Sequence, residues 1–392
     1  MMVSFAKALF RWGMRLLLPF LGWRVPVRLL HGVARGSGRK VTLQAAGRQQ
    51  WSKYVSERWF AEEPQVQSTV HVPVWRLQRY LHQQRLAADL TLVGIDLVSA
   101  RLFLETDYLA VPPLVSCWMA VPQDPEVLGR ESWKGESDFR RVRKRGYESH
   151  LSRVPADFDT FYDHFYTPYL AARHAAKLPS APRWMLRLSF RFGWILWITE
   201  GGKKIAGDLL ARQGKTLVPL VTGVLEGRQD ILQRGGLAAL YVLSITHAMA
   251  LGCTRILMGG SQPVLQDGVL RYKSKWLDGL SAHDGLLSGN HALFLRWNRL
   301  DGPITELLSH TALIHHEQGG GFSALWAYPA HLPLTAESLQ REVRALRIRG
   351  LHRFRVLLPG GVPKDFDGSP ELSCTSIEDA ERAGAGGICS LG

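Results

Sequence analysis

Short apolar runs broken by Pro, Asp and Gly dominate residues 65–125: Val70–Val74, Leu90–Val98, Leu102–Leu104 and Leu114–Val121. Their length is that of strands, and the helical pattern of Trp75–Leu86 lies between them, so this region reads as α/β. Ser137–Gly146 predicts a short helix capped by Ser137 or Asp138 and stopped by Gly146. Ala156–Ala176 is helical in pattern and rich in aromatic rings, with Asp157, Asp159 and Asp163 favouring its N-terminal end. Trp184–Arg191 predicts a further helix.

From 193 to 258 the pattern reads strand, strand, strand, loop, helix, strand. Gly193–Glu200, Lys204–Arg212 and Thr216–Thr222 form a meander, with a hairpin turn at Gly201-Gly202-Lys203-Lys204. A polar loop (Glu226–Asp230) precedes the helix Gly235–Leu251, which Gly252 ends; the strand Thr254–Met258 stops at Gly259-Gly260. Beyond lie a strand (His291–Asn298), a helix (Ile304–His310), a strand (Phe322–Tyr328), a helix capped by Thr335 (Thr335–Arg349) and a strand (Phe354–Leu358). The expected organisation is a basic segment over 1–40, α/β regions over 41–135 and 136–315, a β-α-β extension over 316–359, and a Gly-, Ser- and acid-rich disordered tail over 360–392.

Charge adds a second layer. The 392 residues carry 48 Lys+Arg and 34 Asp+Glu, a formal +14, and the first 56 hold ten of the cations and no acid. Lys7, Arg11 and Arg15 share one helical face, with Leu9, Phe10, Trp12, Met14, Leu16 and Leu17 around the rest. Such a helix suits an anionic membrane surface. Docking on the protein body and an organellar leader are the alternatives. The apolar run Leu16–Trp23 is too short to span a bilayer and contains Pro19. Arg140-Arg141-Val142-Arg143-Lys144-Arg145 is a second basic cluster, either a solvated helix face or a patch for phosphates. Nucleic acid as the main partner is disfavoured, because no binding-module signature accompanies the charge. The cysteines, Cys117, Cys253, Cys374 and Cys389, have no C-x-x-C spacing, which argues against zinc and a disulfide scaffold and for a reducing, cytoplasmic compartment.

The most informative stretch is Gln233-Arg234-Gly235-Gly236-Leu237-Ala238. Two glycines opening a helix let an anion approach unpaired backbone N–H groups at the positive end of the helix dipole. A plain tight turn is the other reading of the glycine pair alone.

Gln233, Gly236 and Ala238 match the Gln/Arg-x-x-Gly-x-Gly/Ala pyrophosphate loop of the GNAT acyltransferases, and the loop sits between a meander and a helix-plus-strand as in that family. The chain further resembles the branch of Fem-type peptidoglycan aminoacyl transferases and acetyltransferase-like proteins of bacterial polysaccharide and cellulose gene clusters. That likeness rests on Ser137–Lys144, Tyr169 with Arg173-His174, Gly201–Asp208, and Gly259-Gly260-Ser261 followed by Asp267–Trp276. It covers roughly 135–300.

The resemblance implies an α/β (α+β) tandem of GNAT-like domains, a degenerate N-terminal half over 41–135 and a catalytic half over 136–315. It implies an N- or O-acyltransferase using acyl-CoA, or an acyl carrier protein thioester, with no metal. The acceptor would be an amine or hydroxyl, on a small molecule or a glycan- or lipid-linked envelope or polysaccharide precursor, at the inner membrane face. Gln233, Arg234, Gly235, Gly236, Leu237 and Ala238 would bind the donor pyrophosphate. Lys273, Tyr272, Asp208 and Ser261 are the catalytic candidates. Arg140, Arg141, Lys144, His174 and Asp267 are candidates for acceptor or phosphate contact. The inserted helical arm of Fem-type members is missing from the sequence pattern, which disfavours an aminoacyl-tRNA donor. A non-catalytic, membrane-associated binding protein on the same fold and a tRNA-dependent aminoacyl transferase are the alternatives.

Overall fold

A computed structural model describes residues 23–47, 58–104, 107–130, 135–174, 181–282, 291–300, 302–317, 320–363, 366 and 371–387. The predicted helix at 5–18 lies outside them. The chain is mixed α/β and divides into two units: unit 1 comprises 1–115, 262–270 and 288–392, and unit 2 comprises 116–261 and 271–287.

Unit 1 contains a six-stranded sheet in the order β3 (Gln65–Pro73), β1 (Arg24–Val33), β2 (Lys40–Gly47), β4 (Leu90–Asp96), β13 (His291–Trp297) and β5 (Leu109–Val111). Alternation along its central strands buries both faces. Leu92, Leu293, Leu295 and Trp297 join one core, with Ile304, Leu307 and Leu308 of the helix Gly302–His310. Val93, Ile95 and Phe294 join the other, under Leu77 and Leu81 of the helix Leu77–Gln83 and Phe103 of the helix Leu97–Phe103. A second sheet, β14 (Leu313–His316), β15 (Phe322–Ala327), β16 (Leu351–Leu358) and β17 (Leu372–Ser376), adds Leu313, Leu325 and Leu357 to the first core.

Several expectations change here. Strand β1 occupies a stretch read only by its charge, and β2 opens the region expected as α/β over 41–135. Leu102–Leu104 is not a strand: the Asp96 side chain accepts from Ser99 N and starts a helix that holds residues 97–103. His291–Trp297, expected inside 136–315, is hydrogen-bonded between β4 and β5. The segment expected as a tail carries β17, which pairs parallel with β16, and the helix Ile377–Gly387, whose Ala380 is fully buried and whose Ile377 packs on the core. Two apolar anchors suffice where the local pattern shows no periodicity.

Unit 2 holds a seven-stranded sheet in the order β12 (Gly279–Ala282), β6 (Val115–Ala120), β11 (Arg255–Ser261), β10 (Thr216–Val224), β9 (Lys203–Gln213), β8 (Trp194–Glu200) and β7 (Glu148–Ser152). Seven helices of this part of the chain are labelled α1 (Glu136–Arg145), α2 (Pro155–Thr160), α3 (Thr167–His174), α4 (Arg183–Arg191), α5 (Gln229–Gln233), α6 (Gly236–Ala250) and α7 (Gly268–Ser274). Between α2 and α3 the chain forms a π-helical turn, Phe161–Tyr166. Gly207 and Gly223 face each other across β9 and β10. A Cβ on Gly223 would lie 2.7 Å from Phe165 C, so the bare backbone there admits the turn against the sheet. Phe161 and Phe165 pack edge-on to Trp197, with ring centroids 6.0 and 4.8 Å apart.

Trp197 is fully buried at the centre of this cluster, whereas Leu86 in unit 1 is 81% exposed. Trp197→Ala is expected to cost about 3–5 kcal/mol, and Leu86→Ala close to nothing. Chemical denaturation of the two variants beside the parent measures both.

Candidate functional site

Strands β10 and β11 run parallel but pair only at Thr216↔Arg255 and Leu217↔Ile256, the first residues of each. Immediately afterwards the register of β10 with β9 shifts between Pro219 and Val221, leaving Leu220 as an extra residue. Pro219 has no N–H to give either neighbour, and a bulge bends the strand that carries it. The two strands therefore part towards their C-terminal ends. The chain leaving β10 enters α5 and then α6, so the N-terminus of α6 comes at that same end of the sheet. In α/β sheets ligands bind beyond the carboxyl ends of strands.

Gly235 takes φ +98° and turns the chain from α5 into α6. The first bond into the helix is Ala239 N to Gly235 O (2.9 Å), so the N–H groups of Gly236, Leu237 and Ala238 have no intrahelical acceptor. A Cβ on Gly235 would lie 3.0 Å from Arg141 Cδ, and one on Gly236 would lie 2.7 Å from Ile231 Cγ2. The loop is thus a backbone cradle that side chains would fill, with the Arg141 chain laid across it from α1. Arg234 is engaged elsewhere, with Glu200 at 2.9 Å and Asp230 at 3.2 Å. Gln233 is exposed at the end of α5.

Helix α1 is capped by Gly135, not by Ser137 or Asp138, and ends at Gly146 in the left-handed region. Asp138 is instead buried: it pairs with Lys275 and accepts from the Tyr272 hydroxyl at 3.2 Å. Burial and the Asp138 carboxylate push the Tyr272 hydroxyl well above its ordinary pKa, so it stays protonated. Arg140 pairs with Glu136 on the exposed side of α1, where Lys144 is also exposed.

Lys273 is 3% exposed, and its Nζ donates to Gly259 O (3.1 Å) and Gly260 O (2.9 Å). Successive carbonyls in a regular strand point opposite ways. They converge here because Gly259 adopts φ +71°, inside a strand that continues to Ser261 instead of stopping at the glycines. Cys117 of β6 lies in the same group. Burial raises its thiol pKa, opposed by the Lys273 cation and the neighbouring Ser261 hydroxyl, although Ser261 Oγ makes no bond of normal geometry to it.

Asp208 projects from β9 on the face opposite Gly207, beside Thr222, whose Oγ1 donates to Asp208 Oδ1 at 2.6 Å. Burial outweighs that bond and raises the carboxyl pKa from 3.8 to about 7. Tyr241 of α6 senses Asp208, Tyr272, Cys117 and Tyr169, after burial the causes of its strongly raised pKa, and its ring lies 5.6 Å from that of Tyr272. Unit 2 thus gathers Asp208, Tyr272, Lys273, Ser261, the glycine loop and Arg141.

One expected residue stands apart, and another is not described. Asp267 belongs to unit 1, where it accepts from Val269 N and Leu270 N and pairs with Arg58 at 2.8 Å. His174 ends α3, and its side chain lies outside the described residues. Sequence reasoning missed Asp138, Cys117 and Tyr241. Only Tyr241 left a signal, five residues beyond Gly236 on the helix that the loop opens. Among the described residues no cluster of His, Cys, Asp and Glu is arranged to hold a metal, and no helix is long and apolar enough to cross a membrane.

No protein-family model matches the chain, and none of the curated proteins compared matches it. Solved structures similar to it include FemX, L-PGS and a GCN5-related N-acetyltransferase. FemX is 12% identical over 68% of this chain and 83% of its own, with a TM-score of 0.34. L-PGS from Bacillus licheniformis is 13% identical over 75% and 90%, with a TM-score of 0.31. A GCN5-related N-acetyltransferase from Kribbella flavida is 10% identical over 78% of this chain and 62% of its own, with a TM-score of 0.28.

The Asp208 shift has a consequence for stability. Its carboxyl ionises near pH 7 in the folded protein but near 3.8 as a free side chain. Between those values the folded protein binds more protons than the unfolded chain, so stability falls as pH rises from about 4 to about 7, by at most about 4 kcal/mol. Asp208→Asn is expected to flatten that part of the profile, read from denaturant midpoints at successive pH values.

Proposed function

We propose that the chain is an acyltransferase that moves an acyl group from a thioester of CoA, or of an acyl carrier protein, to an amine or hydroxyl. The observation that carries this reading is the α6 N-terminus: three backbone N–H groups without an intrahelical acceptor behind a glycine cradle, with the Arg141 side chain beside it, at the mouth of a parted strand pair. Those donors and Arg141 would hold the pyrophosphate or the phosphopantetheine phosphate. When bound, the thioester supplies the acyl group and a thiolate as leaving group.

The residues gathered around the cradle divide the remaining work. Asp208, with a pKa of about 7, suits a base that takes the proton lost by the acceptor. Tyr272 remains protonated and can donate a hydrogen bond or a proton. Lys273 Nζ lies beside the end of β11, where its cation would favour developing negative charge. Holding donor and acceptor in register supplies much of the rate, so no covalent nucleophile is needed. The acceptor class we favour is an amine- or hydroxyl-bearing envelope or polysaccharide precursor.

The test is thermal unfolding with acetyl-CoA, a long-chain acyl-CoA and free CoA, for the parent and for Arg141→Glu. A ligand at about 100 times its Kd adds about 2.7 kcal/mol of stability. The parent's melting temperature is expected to rise, and the exposed charge reversal to cut affinity about tenfold without changing the unliganded melting temperature. No rise with any of the three ligands would remove CoA as the donor.

A further inference from the structure

Helix α4 has two apolar faces. Leu186 and Phe190 point inward, into the cluster formed by the π-helical turn and β8. Trp184, Leu188 and Phe192, spaced four apart, point outward and are 69%, 49% and 76% exposed. Among the described residues of unit 2, the only other large apolar side chain this exposed is Val154. The outward stripe is held firmly. Gly193 lies flat on β9, where a Cβ would come 2.1 Å from Leu210 O, so the chain turns there with Phe192 facing out. Arg183 and Arg187 anchor the helix from its side, to Asp159 and Asp163 and to Asp159 respectively. Arg191 is exposed beside Leu188 and Phe192.

We propose that this outward face of α4 rests on an anionic lipid surface, with Trp184, Leu188 and Phe192 at the boundary of headgroups and acyl chains. Three protruding side chains fall far short of the ~800 Å² per partner of a stable protein interface, and they form a ridge, not a groove. A bilayer accepts such a ridge, because Trp and Phe favour the interfacial depth and Arg reaches back to the phosphates. Unit 2 alone carries 23 Lys+Arg against 15 Asp+Glu, a formal +8, which draws it to anionic lipid.

The experiment is co-sedimentation of the full chain with vesicles of phosphatidylcholine, with and without phosphatidylglycerol, for the parent and for Trp184→Ser/Leu188→Ser/Phe192→Ser. The parent is expected to bind the phosphatidylglycerol vesicles, and the variant about tenfold less, with an unchanged melting temperature. Three results would overturn the proposal: a parent that binds neither vesicle, a variant that binds as the parent does, which would assign binding to the N-terminal segment, or a parent dimer that the variant converts to monomer, which would assign the ridge to a protein contact.

Discussion

The parting of β10 from β11 is the constraint on which the rest of unit 2 depends. A parallel pair that ends after two residues leaves main-chain donors and acceptors facing a gap, and buried groups of that kind need partners. Pro219 and the bulge at Leu220 enforce the gap, and the connection from β10 brings the start of α6 to the same end. Everything polar in the candidate site is arranged around that opening. Arg141 reaches it from α1, Asp208 and Thr222 from the two strands of the meander, and Lys273 from α7.

The electrostatics of the site come from burial more than from ion pairing. Asp208 has the Thr222 hydroxyl for company, and desolvation sets its protonation. Lys273 is held by the carbonyls of Gly259 and Gly260. Asp138 and Lys275 are the contrasting case, a buried carboxylate matched by a cation across 137 residues of chain. That pair fastens α1 to the segment after α7, and with it the arginine that lies over Gly235.

Much of this architecture is written locally. The meander, the glycine-opened helix and the helix Arg183–Arg191 follow from apolar spacing and from Gly at the turns. The loop Gln233–Ala238 is legible because a run of six residues carries its whole logic. Asp138 is not legible: its spacing suggests a helix cap, and only the tertiary fold brings Lys275 to it. Cys117 and Tyr241 look like ordinary core residues until β6 and α6 enclose them with Lys273 and Asp208. The β13 strand is visible as a strand but not as the partner of β4, because pairing depends on register between distant segments. The parallel pairing of β17 escapes for the same reason, with only Ile377 and Ala380 anchoring the helix after it.

The place of β13 in its sheet has a temporal meaning. It lies between β4 and β5, yet it is made only after the whole of unit 2. At ~5–20 residues per second, the edges of β4 and β5 wait about ten to forty seconds for the strand that joins them. Unit 2 is nearly complete in that interval. During synthesis the six-stranded sheet is therefore an open template with a hydrophobic face, and a chaperone has longest access to the chain at Leu90–Asp96.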